Sequence, residues 1–221
     1  MSITVYRIIR SKRRTIALIV EDNGVLTVRA PIRMSEALIQ EFVAKHADWV
    51  AKKQAERHAM IPAQPKQYQP GEHFPYLGQE YALAVVQIQH PPLILEDQFL
   101  LAESARANAA LVFQNWYRQQ ANLLIPARVK FFADQYDLHY ARVRITSART
   151  RWGSCSSQGT LSFSWRLIMT PLEVVDYVVI HELAHTVHHN HSKRFWGLVE
   201  KILPEYKERR KRLKQYGQQV Q

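Results

Sequence analysis

Hydrophobic and polar positions change period several times along this chain, and each change predicts an element. Two apolar runs, Ile16 to Val20 and Val25 to Val28, flank Glu21-Asp22-Asn23-Gly24. Asn-Gly between apolar runs is a strong hairpin signal, so residues 4–30 read as a small β-unit, which Pro31 ends. Ser35 is a suitable helix cap. From there to about Ala59 the positions Leu38, Ile39, Phe42, Val43, Trp49 and Val50 fall at helical spacing and predict one helix over 35–59. Residues 61–73 form a Pro-rich connector. Phe74 to Gln89 reads as strand with a turn at Leu77-Gly78-Gln79, and Leu93 to Ala102 reads as another strand after Pro91-Pro92.

The second half is more helical. Ala105 to Leu124 has helical period, anchored by Leu111, Phe113, Trp116 and Tyr117. Pro126 predicts a break before a second helix that ends near Tyr136. Val143 to Ser147 reads as strand, Arg151 to Gly159 as a polar, glycine-bearing loop, and Thr160 to Phe163 as the returning strand. Thr170-Pro171-Leu172-Glu173 then has the form of a capping box, with Thr170 as N-cap and Pro171 in the first helical position. The helix that follows opens with the apolar residues Val174, Val175, Val178, Val179 and Ile180 and reads as buried.

That helix carries the candidate chemistry. His181, Glu182 and His185 form H-E-x-x-H. Residues four apart on a helix share a face, so both imidazoles can bind one metal ion, and Glu182 is placed to act on a water in an open coordination position. His191 follows six residues after His185 and just before Ser192, a suitable cap for a further helix. A turn there would return His191 as third ligand, leaving the fourth position open for water. His188, His189, Glu200 and Glu205 remain alternatives. The pattern H-E-x-x-H-x-x-G-x-x-H has the same ligand spacing, but His188 stands at its glycine, so the turn must differ. Thr160 to Phe163 is a candidate exposed sheet edge for pairing with an extended substrate. Arg151 is suited either to an oxyanion, carboxylate or phosphate or to loop carbonyls. Trp152, in the same loop, and His188, beside the motif, are further candidates for substrate contact. Cys155 has no base among its sequence neighbours and reads as a small packed residue.

Composition narrows the setting. The single cysteine among 221 residues excludes an intrachain disulfide and fits a reducing compartment. The N-terminus lacks the features of a signal peptide and no apolar run approaches membrane-spanning length, so the expectation is a cytoplasmic protein with no membrane association. The formal net charge of +11 is concentrated in Arg7, Arg10, Lys12, Arg13 and Arg14, and in Lys207, Arg209, Arg210, Lys211, Arg212 and Lys214. These are either solvated faces or a surface for non-specific binding of nucleic acid or nucleotides. No nucleic-acid fold signature accompanies them. Three functions compete at this stage: a zinc-dependent peptidase acting on polypeptides, a metal-dependent nucleoside-triphosphate pyrophosphatase, and a nucleic-acid-binding module with a closed zinc site. The closed site needs His188, His189 or Cys155 as fourth ligand.

RWGSCSSQGTLSFSWRLIMTP, VVDYVVIHELAH and NHSKRFW together resemble the YgjP-like zinc metallopeptidases, relatives of the SprT-type and Wss-type proteases. The resemblance is strongest over 143–203 and extends over the whole chain, including YLGQEY at 76–81. One departure is Ser164, where the family pattern usually carries asparagine. The resemblance implies an α+β chain: a small β-rich N-terminal domain over 1–103, with the helix 35–59, and a zincin-like catalytic domain over 104–221. It assigns His181, His185 and His191 as ligands of one zinc ion and Glu182 as general base. Its DNA-associated relatives make a protease acting on DNA-bound proteins a further reading, by analogy of fold.

Overall fold

The computed structural model describes residues 7–21, 23–59 and 66–219, which divide into two compact units, residues 1–64 and 65–221. In the first, β2 (Ala17–Val20) and β3 (Leu26–Pro31) form the expected antiparallel hairpin, and β1 (Arg7–Ser11) adds to β3 in parallel. The Ser35 hydroxyl caps α1 (Glu36–Lys45) by accepting from the Leu38 N–H. The helix predicted over 35–59 is in fact two. At His46 the backbone leaves helical geometry (φ −109°, ψ 19°) before α2 (Ala47–Ala59) begins. Ile39, Val43 and Val50 close a core with Val20, Leu26, Val28 and Ala30, whereas Leu38 and Trp49 are exposed. Residues 61–65 of the connector predicted at 61–73, and Asp22 of the hairpin turn, lie outside the described residues.

The second unit begins well before the expected boundary at 103/104. Strands β4 (His73–Tyr76), β5 (Gln79–Val86), β6 (Leu93–Leu95) and β7 (Phe99–Ala102) form a sheet in the order β4-β5-β7-β6. The segment predicted as one strand over 93–102 is thus a short hairpin. Leu77 (φ 48°) and Gly78 (φ 80°) make the β4–β5 turn, the pair of positive φ values that matches strand twist. This sheet cannot belong to an N-terminal domain, because its inner face shares a core with the next helix: Phe74 stacks on Phe113 at 4.2 Å, and Phe99 lies 5.0 Å from Phe113.

That helix, α3 (Ala109–Tyr136), follows a 3-10 turn and runs through Pro126 without a break. The proline removes one N–H donor, but the buried stripe Phe113, Tyr117, Ala121, Ile125, Val129 and Ala133 repeats every four residues across it, and burial of that stripe outweighs the lost bond. Asp137, in left-handed geometry (φ 51°), ends the helix. A second sheet has the order β8-β10-β9, from β8 (Arg142–Thr146), β10 (Thr160–Ser164) and β9 (Gly153–Cys155). Its central strand β10 is parallel to β8 and antiparallel to β9. The fold is α+β. Among the described residues no helix is long and apolar enough to cross a membrane.

Candidate metal centre and active site

The site is built on α4 (Leu172–Val187), most of whose first three turns are buried. The expected capping box does not form. Thr170 Oγ1 donates to the Leu167 carbonyl at 2.8 Å, Pro171 takes the cap position, and the Glu173 carboxylate accepts from Arg212 at 2.9 Å. The helix is fixed instead by packing and by a bidentate ion pair in which Arg128 of α3 donates to Asp176 at 2.6 and 2.9 Å. Residue 78 also meets this end of α4: a Cβ there would come 2.6 Å from the Pro171 ring, so glycine serves both the turn and the close approach.

His181 and His185 project from one face of α4, with ring centroids 4.9 Å apart. His191 returns to them because the chain turns at Asn190 and restarts as α5 (Lys193–Ile202), where the Ser192 hydroxyl accepts from the Phe195 N–H. Its ring lies 5.0 Å from His181 and 4.7 Å from His185. One nitrogen from each imidazole lies within 4.8 Å of the others, and the His181 and His191 Nε2 atoms are 3.0 Å apart. Nitrogens of a tetrahedral zinc site, at about 2.1 Å from the ion, are about 3.4 Å from one another, so the donor set fits such an ion. Among the described residues no other group of three or more His, Cys, Asp or Glu converges in this way. Neither Cys155 nor His188 nor His189 joins it, so the fourth protein ligand that a closed site needs is lacking there.

The supports of the imidazoles differ. His185 Nδ1 donates to the His188 carbonyl at 3.1 Å, which leaves Nε2 as the free lone pair. His181 Nδ1 is buried and has no hydrogen-bond partner. Its orientation comes from rings: Phe195, fully buried, lies 5.0, 4.4 and 4.8 Å from His181, His185 and His191, and Trp196 stacks on His191 at 5.6 Å. Burial, reinforced by the charges of His185, His191 and Arg210, holds the His181 pKa down at about 3. The ring is therefore neutral near pH 7, the form that binds metal.

Glu182 is buried, and burial pushes its pKa up to about 7 against the opposing pull of Arg151. A Cβ on Gly153 would fall 2.6 Å from Glu182 Oε1, so β9 passes the carboxylate more closely than any other residue allows without the carboxylate shifting. Beside them opens a cavity of about 270 Å³ lined by Trp152, Gly153, Tyr177, Val178, His181 and Glu182, and by residues of α6 (Tyr206–Gln219).

The substrate candidates fare unevenly. Trp152 lines this cavity, and Arg151 is close enough to act on Glu182. Thr160 to Phe163 is not an edge: β10 is paired on both sides, Phe163 is wholly buried, and Thr160 Oγ1 accepts from Arg142. The strands at the sheet's ends are β8 and β9, and β9 lies inside what the sequence presents as a loop. The part of His188 that serves the site is its backbone carbonyl. Cys155 donates to the neighbouring Ser156 carbonyl, and burial raises its pKa, as suits a packed thiol. Within the second basic cluster, Arg209 pairs with Glu173 and Glu205, and Arg212 with Glu173 and Glu208.

The model of the YgjP-like metallopeptidase domain matches residues 14–216, nearly the whole chain. The chain belongs to the YgjP-like metallopeptidase family. Membership makes it a hydrolase of the metallopeptidase class, which implies a divalent metal, and the three histidines lie close enough together to hold an ion. Among solved structures, the metallopeptidase zymogen abylysin from Pyrococcus abyssi is similar in part: 28% identity, covering 41% of this chain and 91% of that chain, with a TM-score of 0.38. No curated protein matches the YgjP-like chain significantly.

Proposed function

We propose that this YgjP-like chain is a zinc-dependent peptidase in which His181, His185 and His191 hold one zinc ion and Glu182 is the general base. The observation that carries the reading is the convergence of three imidazole nitrogens within 4.8 Å beside a buried carboxylate. Zinc, when bound, supplies Lewis acidity toward the scissile carbonyl and lowers the pKa of water.

The chain's own residues do the rest. Glu182 accepts a proton from the attacking water and returns it to the leaving amine. A carboxyl held near neutrality suits both halves of that transfer. Arg151 contributes positive charge on the side of the site where Glu182 lies. The substrate backbone pairs along β9, which has no strand on its other side among the described residues. Trp152, in the residue before it, forms part of the wall that the substrate meets.

The test is cleavage of an unstructured protein by the zinc-loaded chain with Glu182→Ala in parallel. The variant should bind zinc and cleave nothing. Turnover at the wild-type rate by the variant would sink the mechanism.

A further inference from the structure

The wall of the active-site cavity opposite β9 comes from α6, through Arg210, Leu213 and Lys214. These stand at i, i+3 and i+4 and so share one helix face. Their charges differ from those of Arg209 and Arg212 on the neighbouring faces. Arg209 and Arg212 end on the carboxylates of Glu173, Glu205 and Glu208. Arg210 lies over the Trp196 ring at 4.9 Å, and neither it nor Lys214 has a carboxylate partner among the described residues. The one carboxylate in the cavity lining is Glu182, buried at its base. The cavity is therefore an apolar slot of Trp152, Tyr177, Val178 and Leu213 with two uncompensated cations at one side, immediately beside the base. Its volume of about 270 Å³ accommodates one amino-acid side chain.

We infer that this cavity is a specificity pocket for a substrate carboxylate next to the scissile bond, held by Arg210 and Lys214. The carboxylate is supplied either by an Asp or Glu side chain or by the substrate's C-terminus. The inference rests on the peptidase reading. Two exposed cations each contribute modestly, and together they favour an acidic over a basic residue by about tenfold, less at high salt.

The test uses the zinc-loaded full chain and quenched fluorescent peptides that differ at one residue beside a fixed cleavage site: Glu, Gln or Lys, each with an amidated or a free C-terminus. The same peptides are titrated by anisotropy onto Glu182→Ala. The expected result is about tenfold higher kcat/KM for Glu than for Lys, with Gln between them, and inversion of that order by Lys214→Glu combined with Arg210→Gln. A preference that appears only with a free C-terminus identifies that terminus as the bound carboxylate. Equal cleavage of all three residues, with or without a free C-terminus, overturns the pocket and leaves the peptidase standing. If no peptide is cleaved, the peptidase reading fails, and the anisotropy series decides the pocket by itself: Glu bound more tightly than Lys, with the order inverted by the charge changes, supports it, and equal binding overturns it.

Discussion

Gly153→Ala is the perturbation that most directly isolates the role of Glu182, because it adds one methyl group and touches no ligand. The new Cβ would lie 2.6, 2.7 and 2.9 Å from Glu182 Oε1, Cγ and Cδ, where ordinary contact begins near 3.4 Å. The carboxylate must retreat by about 0.8 Å. Gly153 has no positive φ, so alanine is compatible with the backbone, but the displaced atoms include Cγ of a buried side chain. The stability cost is that of overpacking, about 1–3 kcal/mol. Catalysis is far less forgiving: a misplacement of about 1 Å at a reacting group costs on the order of 100-fold. Initial rates on an unstructured protein should give a kcat/KM lower by that order, with zinc content close to wild type and Tm lower by about 2–10 °C. Wild-type turnover would refute the placement of Glu182 as base. Loss of zinc in parallel with activity would show that the methyl group acts on the ligands instead.

Three more outcomes follow from the same geometry. His191→Ala should weaken zinc by more than about 100-fold, beyond what loss of an outer partner costs, and competition with a chromogenic chelator measures it; unchanged affinity would return the third-ligand role to another residue. Chelation of wild type should lower Tm by about 5–10 °C relative to zinc at a hundredfold above its Kd, and a scan with no shift would mean that the folded and unfolded chains bind the ion equally. Asp176→Ala strands Arg128 in a half-buried pair and should cost about 1–3 kcal/mol, read from urea midpoints; a double-mutant cycle with Arg128→Ala that shows no coupling would remove the pair as the tie between α3 and α4.

The parts of the site readable in the sequence are those set by local geometry. The H-E-x-x-H spacing places two imidazoles and a carboxylate on one turn wherever the helix lies. Ser192 announces the helix start that returns His191. The features that stayed hidden depend on partners far along the chain. Strand β9 is three residues long, too short for an alternation to show, and only its pairing with β10 reveals that β10 is internal. Pro126 carries a genuine break signal that a long buried stripe overrides. Thr170 and Glu173 have the residues of a capping box, but Glu173 is drawn to arginines some forty positions away. The support for His185 is a backbone carbonyl, which every residue possesses and no sequence pattern marks. Arg210 and Lys214 look like members of a uniformly basic run until the fold gives Arg209 and Arg212 carboxylate partners and sets Arg210 and Lys214 in the cavity wall.

If substrate pairs along β9 as proposed, the brevity of that strand limits how the enzyme grips its target. Three residues at about 3.3 Å each give a docking rail of about 10 Å, room for only two or three main-chain bonds, each of modest net worth. A rail that short holds a disordered chain weakly and lets it slide, so turnover depends on what arrests the sliding. Folded proteins, whose backbones are already engaged, offer nothing for so small a rail to seize. On that proposal, the architecture would select a loose end or an unravelled loop, caught at one side chain.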